Sequence, residues 1–110
     1  MSPGAEPAEL LAGAEVIESF LPFGITAFTT GRAAGSFSMQ SDEPARDVSA
    51  RWNALRAHLG GPAVRLATAA QVHGRDVLIH GEGWHGWLRG DAADGHLSAV
   101  RGTAMAVTVA

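Results

Sequence analysis

The chain has 110 residues, a net charge of −3, no cysteine and 46% hydrophobic residues, which suits one ordinary domain with a buried core. Its eight basic residues are all arginine and are scattered, so no basic patch favours nucleic-acid binding. No apolar run approaches the roughly 20 residues of a membrane-spanning helix, and the first residues lack the positive charge of a signal peptide. Composition therefore predicts a cytoplasmic protein without disulfides, partnered by neither nucleic acid nor membrane.

The first part of the chain predicts two strands after a loose lead-in. Residues 1–13 are rich in Pro, Gly, Ala and Glu and predict little regular structure. Residues 15–23 are apolar, and residues 25–30 alternate and are β-branched, so both segments predict strands. The small residues of 31–40 then predict a loop.

One main helix is predicted over about residues 43–59. Asp42 or Glu43 can cap it, and Pro44 suits its first turn. A Gly-Gly-Pro sequence ends it, with glycine in the left-handed cap position. Its apolar face follows the helical period and consists of Val48, Trp52, Leu55 and Leu59.

The second half predicts three more strands, at 64–72, 76–80 and 103–110, with a loop at 81–90. The fold class expected from this order is α+β, a mixed β-sheet with one main helix, in a single domain over 14–110. The last strand stops within an apolar, β-prone run that has no turn residue, which is a poor natural end for a sheet. We therefore expect the N-terminal part of a longer protein, truncated at the C-terminus; a natural short form is the alternative.

The Gln-Val-His-Gly sequence at 71–74 is the most informative motif. It places His73 between two predicted strands, before a turn that Gly74 favours. Neutral imidazole is a common metal ligand, although an isolated histidine at a turn is more often unremarkable.

Three segments in order resemble the YfiH family, also called laccase-domain, polyphenol oxidase or peptidoglycan-editing-factor proteins. They are the Thr-Thr-Gly-Arg sequence at 29–32, the motif at 71–74 and the Asp-rich loop at 91–95. The resemblance implies a YfiH-like fold, of which this chain would be the N-terminal part.

The resemblance also implies a zinc site. In the family, the histidine matching His73 binds the metal together with a Cys in an Asp-Cys turn and a later His. Three protein ligands and an open position are typical of catalytic zinc. Only the first ligand occurs here, so we expect an incomplete site. The family is also annotated with copper, but five histidines and no cysteine are too few for multicopper clusters.

Four further residues are candidates for substrate binding. Arg32 and Ser36 lie in the small-residue loop, where a guanidinium and nearby backbone donors suit an anion. Gln71 falls on the same strand face as His73, and Asp94 matches an aspartate frequent in the family. The alternatives are a solvated arginine, a glutamine that satisfies backbone groups, and turn capping by aspartate. Residues 33–40 depart from the family pattern. So does the pair Arg51-Trp52, which aligns with a helical Asn-Arg pair common in the family and therefore lacks the asparagine.

The other histidines suggest no site. His73, His80 and His85 are spaced by seven and five residues, which matches no usual zinc spacing. The segment that starts at His85 only superficially echoes the family's later His segment, and we interpret it as ordinary loop. His96 is likewise unassigned.

For a full-length relative, the resemblance implies zinc-dependent purine nucleoside phosphorolysis, acting on adenosine, inosine and methylthioadenosine, with adenosine deamination in some members. The partners would be a nucleoside and phosphate. The alternatives are a non-catalytic fragment or pseudo-enzyme, a hydrolase that edits peptidoglycan precursors, and a polyphenol oxidoreductase. An unfinished sheet edge also predicts self-association of the isolated chain.

Overall fold

The computed structural model describes residues 13–60 and 64–108. The predicted lead-in at 1–13 therefore lies outside the described residues, except for Gly13, and so do the last two residues of the strand predicted at 103–110. The chain divides into two compact units between His58 and Leu59. None of the helices in the described ranges is long and apolar enough to cross a bilayer.

The first unit begins with a short antiparallel pair. Strand β1, Glu15–Val16, pairs with β2, Phe28–Thr29, and a 3-10 helix, Glu18–Phe23, connects them. The strand predicted over 15–23 is thus wrong beyond Val16, because the chain coils instead and closes at Gly24 in the left-handed conformation (φ 73°). A second 3-10 helix, Arg32–Ala34, lies in the predicted loop.

Helix α1, Ala45–Leu59, confirms the predicted helix and its apolar face. Val48, Trp52 and Leu55 are buried, as the helical period requires. The Trp52 indole N–H donates to the carbonyl of Phe37 at 2.9 Å, and the two rings meet edge to face at 4.9 Å between centroids. This contact ties the loop at 35–41 to the helix.

The second unit is built on parallel strands. Strand β3, Arg65–Ala69, lies between β5, Trp87–Gly90, and β7, Thr103–Met105, and pairs in parallel with both. A second parallel pair joins β4, Val77–His80, to β6, Gly95–Ser98. Together with the first unit, the described residues form mixed α+β structure, as predicted; the YfiH-like fold stays a prediction.

Two strands were missed by sequence reasoning. β5 lies in the predicted loop at 81–90, and β6 lies in a segment where no strand was predicted. Both are short and contain glycine and polar residues, so their extended shape comes from pairing with β3 and β4. The Trp87 indole N–H, for example, donates to the Thr68 hydroxyl on β3 at 2.9 Å.

Candidate functional site

The loop between β3 and β4 carries the motif at 71–74. His73 lies at its tip with a positive φ of 58°, in a region that residues other than glycine adopt infrequently. The side chain is exposed. A non-glycine residue holds such a conformation when its surroundings determine it, so the contacts of this loop need a specific explanation.

The carboxylate of Asp94 supplies that explanation. The N–H groups of Val72 and His73 each donate to Asp94 Oδ1 at 3.0 Å, and the N–H of Gly74 donates to Oδ2 at 2.6 Å. Three successive backbone donors thus converge on one carboxylate, in the manner of an anion-binding nest whose anion is a side chain. Because the three successive N–H groups of residues 72–74 all bond to Asp94, the carboxylate fixes the backbone of the turn.

Backbone bonds on both sides place Asp94 at this position. The N–H of Asp94 donates to the carbonyl of Asp76 at 3.1 Å, and the N–H of Ala93 donates to the carbonyl of Ala70 at 3.0 Å. Ala93 is fully buried. Residues 93–94 therefore bridge the start and the end of the loop at 70–76.

The same bonds control the charge of Asp94. The hydrogen bond from Gly74 is the largest cause that holds the pKa of Asp94 below its usual value, and the bonds from His73 and Val72 act in the same direction. Partial burial opposes them, and the nearby charge of His73 adds to them. The carboxylate is therefore ionised at neutral pH and accepts all three bonds.

Gln71 is engaged with the end of the described chain. Its Nε2 donates to the carbonyl of Thr108 at 2.7 Å, and its Oε1 accepts from the N–H and the hydroxyl of Thr108 at 2.5 and 2.9 Å. The amide thus imitates a strand neighbour and extends the pairing beyond β7. This contact matches the interpretation of Gln71 as a residue that satisfies backbone groups.

The imidazole of His73 makes no hydrogen bond to a described residue, so its nitrogens are open to an external ligand. Zinc requires three or four donors. Within 13–60 and 64–108, no three His, Cys, Asp or Glu side chains come together as a metal site. The oxygens of Asp94 already accept backbone bonds. His73 therefore suits the role of one metal ligand, and the described residues do not supply the other ligands of a zinc site.

Arg32 and Ser36 lie in the first unit. Arg32 is exposed in the second 3-10 helix, and the Ser36 hydroxyl accepts the N–H of Ser38 at 3.2 Å. The guanidinium that contacts Ser36 is that of Arg51, which donates to the Ser36 carbonyl at 3.1 Å and to both oxygens of Glu43 at 2.7 and 2.8 Å. Arg51 thus fixes this loop on α1, a role that sequence reasoning did not predict.

A histidine pair on β4 and β6 was also missed. His80 Nε2 lies 2.9 Å from His96 Nδ1. The two residues are sixteen positions apart, and only the register of two parallel strands brings them together. Without a predicted β6, no signal in the sequence could have found this pair.

Comparisons of the chain with protein-family models, with curated proteins and with solved structures give no match.

Proposed function

We propose that the His73 loop (residues 71–76) supplies one ligand to a zinc centre for purine nucleoside phosphorolysis, with adenosine, inosine or methylthioadenosine and phosphate as substrates. The observation that carries the proposal is the exposed imidazole of His73 on a turn held by Asp94. An exposed imidazole that makes no hydrogen bond to a described residue, on a turn whose backbone is held by Asp94, suits a metal ligand, because no existing hydrogen bond has to be broken. The choice of zinc and of the reaction rests on the resemblance of 71–74 to the YfiH motif.

Each candidate site residue then has a proposed role. His73 offers its ring nitrogen, and Asp94 fixes the orientation of the loop, as groups behind a metal ligand do in many sites. Gln71 holds the chain at Thr108 beside the loop. Arg32 and Ser36 remain proposed anion-binding groups in the first unit. Zinc, when bound, would activate water or polarise a substrate oxygen.

The remaining ligands must come from outside the described residues. One imidazole does not hold zinc, so we expect the isolated 110-residue chain to show no phosphorolysis. We further propose that the protein acts in the cytoplasm and that the isolated chain self-associates. Robust phosphorolysis by the isolated chain, with contaminating enzyme excluded, would contradict the metal-site argument.

The test compares two histidine variants in the longest polypeptide read from the same gene. His73→Ala should lose zinc and phosphate-dependent base release together. His85→Ala, a change to another exposed histidine in the same unit, should keep both. Elemental analysis gives the zinc content, and chromatography of the released base gives the activity. Full zinc occupancy in His73→Ala, or no zinc in the unmodified protein, would overturn the proposal.

A further inference from the structure

The parallel β4–β6 pair carries two histidines on one face. His80 ends β4 opposite Ser98, and His96 lies opposite Leu78, so the two rings are diagonal neighbours. His80 is only 6% exposed, and His96 is half-buried. The Ser98 hydroxyl also donates to the carbonyl of His80 at 2.8 Å, so this end of the pair is held by two side-chain contacts.

The two rings meet edge to edge. Their planes differ by 25°, and the 5.1 Å between centroids is close to the 2.9 Å between nitrogens plus one ring width. Nε2 of His80 and Nδ1 of His96 therefore face one another, and one N–H donates to one lone pair. This bond exists when both rings are neutral or when one is protonated. When both are protonated, two N–H groups and two like charges oppose each other.

No group within residues 13–60 and 64–108 is seen to stabilise a second proton on the pair. Among the described residues, neither ring has a carboxylate partner. The Trp84 ring lies 5.9 Å from that of His80, and the cation of Arg65 lies 5.7 Å over Trp84. Glu82 and His85, in the same loop, are exposed and bond to neither ring. Burial, and then the charge of His80, lowers the pKa of His96.

The same two strands adjoin the His73 loop at their starts. β4 starts directly after that loop, and β6 starts at the residue after Asp94. We propose that the His80–His96 bond is a pH-sensitive clasp, which closes the β4–β6 pair while at most one ring is protonated. The second protonation opens the pair and releases Asp94 from the loop. The clasp stands on its own geometry, whereas its regulation of a zinc ligand rests on the function proposed above.

The sign of the effect follows from proton linkage. An unfolded histidine titrates near pH 6.5, whereas the folded pair excludes one proton. Below about pH 6.5 the unfolded state therefore binds more protons. For each unit by which the pH falls, the unfolding equilibrium constant of the second unit should rise by up to about tenfold. This increase ends where the second ring is protonated in the folded state. Above that range the clasp contributes its full stability.

The experiment is a urea unfolding series on the 110-residue chain between about pH 7.5 and about pH 4.5, a range that spans the ordinary histidine pKa. His96→Asn places an amide oxygen near the position of Nδ1, so it keeps an acceptor and removes the titration. It should lose the roughly tenfold-per-unit slope, which His85→Asn should retain. Equal slopes in the two variants would overturn the clasp.

A second measurement does not depend on how the variant folds. Nitrogen NMR titration of the unmodified chain should show two separate protonation steps for the histidine pair, the second at lower pH than the ordinary histidine value of about 6.5. Independent single steps of the two rings near that ordinary value would overturn the clasp. The protection of the amides of residues 72–74 against exchange, taken relative to the intrinsic rate at each pH, should fall with the second step. If it does not, the link to the loop is wrong; if it does and the zinc test fails, only the proposed function fails.

Discussion

Removal of the Gln71 side chain tests whether this residue is structural. The amide makes three hydrogen bonds to Thr108, two of them to backbone groups. Each bond contributes about 0.5–1.5 kcal/mol net. Both residues are half-buried, so water can replace part of the loss, and Gln71→Ala should lower the free energy of unfolding by about 1–3 kcal/mol. For a unit of this size, about 2 kcal/mol corresponds to a melting temperature roughly 10 °C lower.

The assay is thermal unfolding followed by circular dichroism, with Gln40→Ala as the control. Gln40 is the other glutamine in the chain and is exposed, so its truncation should change stability by less than about 0.5 kcal/mol. Gln71→Glu keeps the acceptor oxygen but sets a carboxylate against the Thr108 carbonyl. It should be destabilised at pH 7 and recover as the pH falls towards about 4.3, where the acid is protonated and can donate. If Gln71→Ala unfolds like Gln40→Ala, the structural role is refuted.

Three further outcomes are expected. Backbone hydrogen bonds lower the pKa of Asp94 in the folded state, so the stability that these bonds contribute is fully present above the ordinary pKa of 3.8. This stability is lost as the pH falls through the lower pKa of the folded state. Asp94→Asn should remove this acid dependence in urea unfolding. Gly35→Ala should cost more stability than Gly24→Ala, because both have positive φ but only the Gly35 Cβ would meet Arg51, at 2.6 Å; equal losses would contradict this. Ile79 is 79% exposed beside Leu97, so Ile79→Thr should reduce self-association in light scattering, and unchanged scattering would refute that surface.

Local pattern was sufficient to predict the helix and the central strand. The face of Val48, Trp52 and Leu55 is set by the helical period, and burial selects that face whatever it packs against. β3 was predicted from the alternation over residues 64–68, and Leu66, Ala67 and Thr68 are all buried because the strand lies in the middle of a sheet. Both signals reside within the segment itself.

Features that depend on distant partners could not be predicted in this way. β6 is extended because it pairs with β4, and its own sequence, Gly-His-Leu-Ser, has little strand propensity. For Asp94, capping of its own turn was one predicted role. Its partners, some twenty residues earlier at 72–74, became visible only with the register of the second unit. The His80–His96 pair was missed for the same reason.

The most direct test of the account is the zinc affinity of Asp94→Asn, measured in the longest polypeptide read from the same gene. The new amide group sets a donor against one of the three backbone N–H groups, so the loop that presents His73 should loosen. We predict zinc binding weaker by roughly 10- to 100-fold, as for other groups that orient a metal ligand. Asp91→Asn, in the same loop before β6, should bind zinc normally. Equal zinc affinity in the two variants would contradict the claim that Asp94 holds His73 in place for a metal.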